Sequence, residues 1–203
     1  MLLWKIIKMS RKLPPEAEGI EIDERFMPTE KFVKKEIIYN GQILQLRRDE
    51  VVTPKGKTVK REFIVHNGGV CILPVRKDGK IGIVKQFRYP TGESTIEFPA
   101  GKLEKGEDPY KAALRELEEE VGYKAGKLTP YGVIYPCVGY SNEVIYLFVA
   151  EDLTQTQTNF DDDEYLVTKW FGEEELKWMF ENDMFRDAKT IVLLCKYLSR
   201  NLN

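Results

Sequence analysis

The chain has 203 residues, 42% hydrophobic and 32% charged, enough for one substantial core with a small appended domain. Lys and Arg number 31 against 33 Asp and Glu, so the net charge of -2 offers no broad basic field for nucleic acid or an anionic membrane. Cys71, Cys137 and Cys195 are odd in number, widely spaced and lack a C-x-x-C pair, which excludes a disulfide frame or a zinc site and reads as buried free thiols in a reducing cytoplasm.

The opening MLLWKIIKMSRKLPPE is apolar but interrupted by Lys5 and Lys8. No small-residue cleavage site follows, and no stretch approaches the roughly 18 apolar residues of a membrane helix, so a cytoplasmic protein without a membrane partner is expected. Residues 1–30 read as a loosely held N-terminal arm, or in part as sequence preceding a start at Met9 or Met27.

Turn signals then divide the chain. Asn40-Gly41 separates KFVKKEIIY from QILQLRRDEVV, and Pro54-Lys55-Gly56 separates that run from TVKREFIVH. These predict a small antiparallel β domain over residues 31–67. Beyond Gly68-Gly69 the pattern becomes mixed, defining a second domain over 68–203. Strands are expected near 70–76, 81–88 and 94–99, the first two split by Asp78-Gly79. A helix follows, then strands near 128–136, 143–150 and 165–171, and closing helices near 173–181 and 187–199.

The central helix carries the chemistry. Asp108 is a suitable N-cap, Pro109 suits the first turn, and Gly122 follows the last periodic residue, which predicts a helix over Pro109–Val121. At about 100° per residue, Tyr110, Ala113, Leu114, Leu117 and Val121 share an apolar face. Arg115, Glu116, Glu119 and Glu120 share another, with Glu118 directed to solvent. A Glu run of this kind is often just a solvated face. Three carboxylates on one patch nevertheless repel one another, and that repulsion suits a hard divalent cation such as Mg2+ or Mn2+.

The spacing sharpens this. Gly101, Glu107, Arg115, Glu116, Leu117, Glu119, Glu120 and Gly122 fill the pattern G-x5-E-x7-R-E-U-x-E-E-x-G-U, where U is bulky and apolar. The last U is Tyr123, a packing position. This segment resembles the signature box of the Nudix hydrolases, and the strand-like STIEFPA before it supplies the strand, loop and helix context the box needs. From about Phe32 onward the chain resembles the ADP-ribose pyrophosphatase branch, through NGQILQLRRDEV, VKREFIVHNGGV, VKQFRYP, IEFPAGKLEKGE, SNEVIYLF and FRDAKT.

The resemblance implies an α/β/α sandwich with a mixed sheet, preceded by a small β domain exchanged across a homodimer to complete the substrate pocket. It implies Mg2+-dependent hydrolysis of ADP-ribose to AMP and ribose 5-phosphate. Carried over by position, Glu116 and Glu120 hold metal with the backbone carbonyl of Ala100, and Glu119 binds metal directly or through water. Arg115 orients these carboxylates, Glu107 stabilises the loop, and Gly101 lets the loop approach closely. The general base comes from a late acidic loop, here Asp161 to Glu164, with Glu164 the first choice and Asp163 the second. Arg88 is the candidate for the diphosphate, and Arg61 and Glu143 for adenine and the terminal ribose. His66, the sole histidine, reads as structural.

One departure bears on substrate. The branch places a proline fifteen or sixteen residues beyond the box, whereas IYPCVGYSNE has Pro136 thirteen beyond Tyr123 and Val138 where that proline is expected. The box is shared with pyrophosphatases for GDP-mannose, ADP-glucose and similar nucleoside diphosphate sugars. A non-catalytic nucleotide-sugar sensor is the remote alternative, disfavoured because every box carboxylate is kept.

Overall fold

The computed structural model describes residues 28–159 and 165–201. Two compact units emerge. One comprises the described residues to His66 with Gly139–Ser141, the other Asn67–Val138 with the described residues from Asn142.

The first unit is an antiparallel sheet. Its central strand β3 (Gln45–Val52) pairs along its whole length with β4 (Thr58–Val65), in register from Gln45 opposite Val65 to Val52 opposite Thr58. The other edge takes two short strands, β1 (Lys31–Lys34) and β2 (Ile37–Asn40), rather than the single run expected over KFVKKEIIY. Register shifts interrupt both pairings, and the amide of Arg48 bonds the carbonyl of Glu36 where the run is broken. The segment Gly139–Ser141 joins this unit because the amide of Ile64 donates to the carbonyl of Tyr140 at 2.8 Å.

The second unit contains two sheets. In order, its elements are β5 (Gly69–Pro74), β6 (Ile81–Arg88), β7 (Glu93–Glu97), β8 (Ala100–Lys102), α1 (Pro109–Glu116), a π turn (Leu117–Val121), β9 (Tyr123–Ile134), β10 (Ile145–Gln155), β11 (Leu166–Phe171), α2 (Glu173–Glu181) and α3 (Ala188–Leu198). A mixed sheet runs β8-β5-β10-β9, with β5 and β10 parallel and the other pairs antiparallel; β11-β6-β7 forms an antiparallel sheet.

Strand periodicity explains the layering. Val70 and Ile72 of β5 point to one face, where they meet Ala112, Ala113, Leu117 and Val121 of the box helix. Cys71 and Leu73 point to the other, where they meet Leu176, Leu193, Leu194 and Tyr197 of α2 and α3. Strand β5 is buried throughout because both faces are covered. Helices on both sides of a mixed sheet make the α/β/α sandwich that was expected.

Three readings need correction. The box helix is α-helical only to Glu116 and then widens into the π turn. Its buried side chains are Ala112, Ala113, Glu116, Leu117, Glu120 and Val121, so Ala113, Leu117 and Val121 face the core as expected, while Tyr110 is 41% exposed and meets Phe148 edge-on at 6.2 Å. Only Cys71 of the three free cysteines is buried; Cys137 is half-buried and Cys195, in α3, is exposed.

No helix among the described residues is long and apolar enough to cross a membrane.

Candidate active site

The site is built around one arginine. Asp108 caps α1 by accepting the amides of Tyr110 and Lys111 at 2.9 and 3.3 Å, which fixes where the helix begins. Two turns later Arg115 spans three carboxylates. Its Nε and Nη2 donate to the two oxygens of Glu107, each at 3.2 Å, and its Nη1 donates to Glu116 at 2.8 Å and Glu119 at 2.9 Å. The planar fork suits this bridging role. Burial opposes the Arg115 charge, but Glu107, Glu116 and Glu119 more than offset that and push its pKa up. The Arg115 bond holds Glu107 below the usual carboxylate range. Glu107 also accepts the Glu104 amide at 2.9 Å, closing the loop before the helix.

Strand β8 brings the loop beneath this cluster. It was not expected, and its pairing of Ala100 with Cys71 and Gly101 with Val70 lashes the box loop to the buried strand β5. The amide of Ala100 donates to Glu120 at 3.0 Å. A Cβ at position 101 would fall 1.8 Å from the carboxylate carbon of Glu116, so the missing side chain is the space Glu116 occupies. Glu116 and Glu120 are 9% and 2% exposed.

The π turn ends at Gly122, whose φ of 72° is left-handed. A widened last turn leaves carbonyls to be satisfied from outside the helix. The amide of Asn159 donates to the Glu119 carbonyl at 3.0 Å, the Thr168 hydroxyl to that of Glu120 at 3.3 Å, and the amide of Thr156 to that of Gly122 at 2.7 Å. Thus chain on both sides of the 160–164 segment is anchored to the backbone of box glutamates. Asp161, Asp162, Asp163 and Glu164 lie outside the described residues.

The box members Ala100, Gly101, Glu107, Arg115, Glu116, Glu119, Glu120 and Gly122 are therefore brought together. Among the described residues, no group of three His, Cys, Asp or Glu side chains forms a ready metal cage. Arg115 holds Glu116 and Glu119, and the Ala100 amide holds Glu120. The donors are hard oxygens, Glu116 sits in a cradle that a Cβ would fill, and both features fit a hard divalent cation.

The substrate candidates have different surroundings. Arg88 ends β6 and is paired through Nε and Nη2 with Glu97, both at 2.7 Å. Arg61, in the first unit, pairs with Glu30 through Nε at 3.0 Å. Glu143 is half-buried in the coil before β10, and His66 is half-buried just beyond β4. A cavity of about 850 Å³, lined by Ile83, Ile96, Val167, Phe171, Trp178 and Met184 among others, contains none of the expected site residues.

Sequence reasoning missed Glu97. It is 2% exposed and accepts from Arg88, from Lys189 at 2.5 Å and from Thr95 at 2.5 Å. Burial opposes its charge, yet these partners outweigh burial and hold its pKa at about 2. The signal was FRDAKT, quoted as a motif but given no role.

Residues 65–194 match the NUDIX domain family. The chain is 42% identical over 163 residues to the ADP-ribose pyrophosphatase of Bacillus subtilis (strain 168), covering 79% of this chain and 88% of that one. It is 38% identical over 166 residues to the methanol dehydrogenase activator of Bacillus methanolicus, covering 80% and 89%. A crystal structure of an ADP compounds hydrolase superposes with a TM-score of 0.74 at 23% identity, covering 85% of this chain and 92% of the other.

Proposed function

The chain belongs to the Nudix hydrolase family, and from that premise we propose that it hydrolyses the diphosphate bond of ADP-ribose to AMP and ribose 5-phosphate. The observation that carries the reading is the Glu116 carboxylate seated over Gly101, beside Glu120 on the Ala100 amide. Identity to an ADP-ribose pyrophosphatase over most of both chains supports the substrate.

Glu116, Glu120 and the Ala100 carbonyl, with Glu119, would hold Mg2+, or Mn2+ in its place. Bound there, such a cation neutralises diphosphate oxygens and makes water more acidic. Arg115 orients Glu116 and Glu119 by charge-assisted hydrogen bonds and restrains Glu107. Glu164, with Asp163 as second choice, accepts the proton of the attacking water. Water adds to one phosphorus as the bridging oxygen leaves on the other phosphate. Arg88 takes a diphosphate oxygen, and Arg61 and Glu143 serve the adenine and terminal ribose.

We place the enzyme in the cytoplasm as a homodimer. Supporting the dimer, β1 and β2 are exposed along their whole length, with Phe32 62%, Tyr39 59% and the following Ile43 63% exposed. Sedimentation should therefore give twice the 23.6 kDa chain mass.

The test is a panel of nucleoside diphosphate sugars with Mg2+. ADP-ribose should release AMP, and Glu120→Gln should abolish the release. Glu164→Gln should lower kcat at least ~100-fold with little change in KM. A kcat/KM that favours GDP-mannose or ADP-glucose reassigns the substrate. No Mg2+-dependent turnover of any member would favour a nucleotide-sugar sensor.

A further inference from the structure

The late segment FRDAKT, residues 185–190, is a clip onto the strand that leads into the box loop. Asp187 caps α3, accepting the amide of Thr190 at 3.0 Å and its hydroxyl at 2.6 Å. The Thr190 oxygen in turn accepts the amide of Phe98 at 2.9 Å. Lys189 donates to Glu97 and lies 2.9 Å from the Asp187 carboxylate. Arg186 reaches Glu93 at 3.0 Å. One helix start is thereby bonded to Glu93, Glu97 and Phe98, just ahead of Ala100.

The product of this clip is a held arginine. Side-chain exposure is 2% for Glu97, 12% for Lys189 and 38% for Arg88, so Arg88 is the member of the trio that reaches solvent. It borders a cleft of about 550 Å³ together with Thr91, Glu93, Thr95, Arg186 and Lys189. Two parallel bonds to Glu97 fix the guanidinium plane. Its remaining nitrogen, Nη1, has no hydrogen-bond partner among the described residues. An arginine on a flexible stem loses rotamer freedom when it takes an anion, and Glu97 removes that freedom beforehand.

Resting on the diphosphate reading above, we infer that Glu97 is a positioning residue for substrate, fixing Arg88 so that Nη1 donates to a non-bridging diphosphate oxygen, while Lys189 and Thr190 brace Glu97 and its strand from α3. Glu97 touches no reacting atom. Its effect passes wholly through Arg88.

A double-variant cycle with ADP-ribose and Mg2+ tests this. Arg88→Ala and Glu97→Gln should each raise KM about tenfold while leaving kcat within about threefold. The double variant should be no worse in KM than Arg88→Ala alone, because the two residues act as one unit. Additive KM effects, or a loss of kcat and of Mn2+ affinity in the substrate-free Glu97→Gln protein, would overturn the inference and leave Glu97 with a bracing role only. Arg88→Lys keeps a cation on Glu97 and therefore the fold, but lacks the fork. It too should raise KM about tenfold, and a normal KM overturns the inference even where Glu97→Gln does not fold. The same variants are titrated with α,β-methylene-ADP, which needs no turnover. A wild-type protein that binds it but leaves ADP-ribose intact refutes the activity, and about tenfold weaker binding by Arg88→Lys then still supports the positioning role. Equal binding by wild type and Arg88→Lys overturns it.

Discussion

Gly101 and Glu116 share one volume: a Cβ on residue 101 would stand 1.8 Å from the carboxylate carbon of Glu116 and 1.9 Å from its Oε1. The atoms in the way belong to the end of a flexible side chain, so substitution displaces Glu116 rather than the backbone. Gly101→Ala should therefore fold, with a melting temperature close to wild type, yet lose at least about tenfold in Mn2+ affinity and most of its kcat. Titration of Mn2+ into the substrate-free variant checks this. Unchanged affinity would remove Glu116 from the metal ligands.

Arg115 keeps Glu107, Glu116 and Glu119 from repelling one another. Arg115→Ala leaves three carboxylates without their common cation and should cost about 1–3 kcal/mol of stability in metal-free buffer. Arg115 also orients Glu116 and Glu119, so its loss should weaken Mg2+ binding, and added Mg2+ should stabilise the variant less than it stabilises wild type. Denaturant melts with EDTA and with Mg2+ measure both halves. An equal Mg2+ increment in the two proteins would separate Arg115 from the metal site.

What the sequence made legible is what short-range pattern encodes. Strand β6 at Ile81–Arg88 and helix α2 at Glu173–Glu181 match their expected spans, because a turn signal or a periodic apolar stripe bounds each. The box was legible because its residue identities stand at fixed spacing within one short stretch of chain. Strand β8 was not, since AGK is too short to carry a period and forms only through pairing with β5. Strand β9 begins at Tyr123 rather than near 128, because its first residues are held as strand by pairing with the far end of β10, from Gln155 opposite Tyr123 to Leu153 opposite Ala125. The π turn escaped because the apolar spacing at Leu117 and Val121 satisfies either helix. Glu97 and Lys189 lie far apart in the chain, and no local spacing announces a buried ion pair that the tertiary fold creates.

Thr168 ties β11 to the box through the carbonyl of Glu120. Thr168→Val keeps the branched shape and removes the donor, leaving a carbonyl of the π turn without that partner. The expected cost is about 0.5–1.5 kcal/mol, and Thr168→Ser should restore it. Because the bond lands on the backbone of a proposed metal ligand, Mn2+ affinity should fall with the valine and recover with the serine. Affinity unaltered in both variants would confine Thr168 to sheet packing.

Glu97 gives the chain an acid-sensitive element outside the box. Burial alone would raise its pKa, but hydrogen bonds from Arg88, the Lys189 charge and the Thr95 hydroxyl together bring it from an ordinary 4.5 to about 2. Folding therefore favours the ionised form. A carboxylate depressed in the folded state contributes its full stabilisation above its unfolded pKa, and that contribution fades as pH falls toward the folded value. For Glu97 the window is about pH 4.5 down to about 2, and the contribution is on the order of 3 kcal/mol. Unfolding free energy measured by denaturant melts across this range should fall less steeply for Glu97→Gln than for wild type, by about that amount in total. Parallel curves for the two proteins would mean that Arg88 and Lys189 do not hold Glu97 ionised, and would undercut its claim to position Arg88.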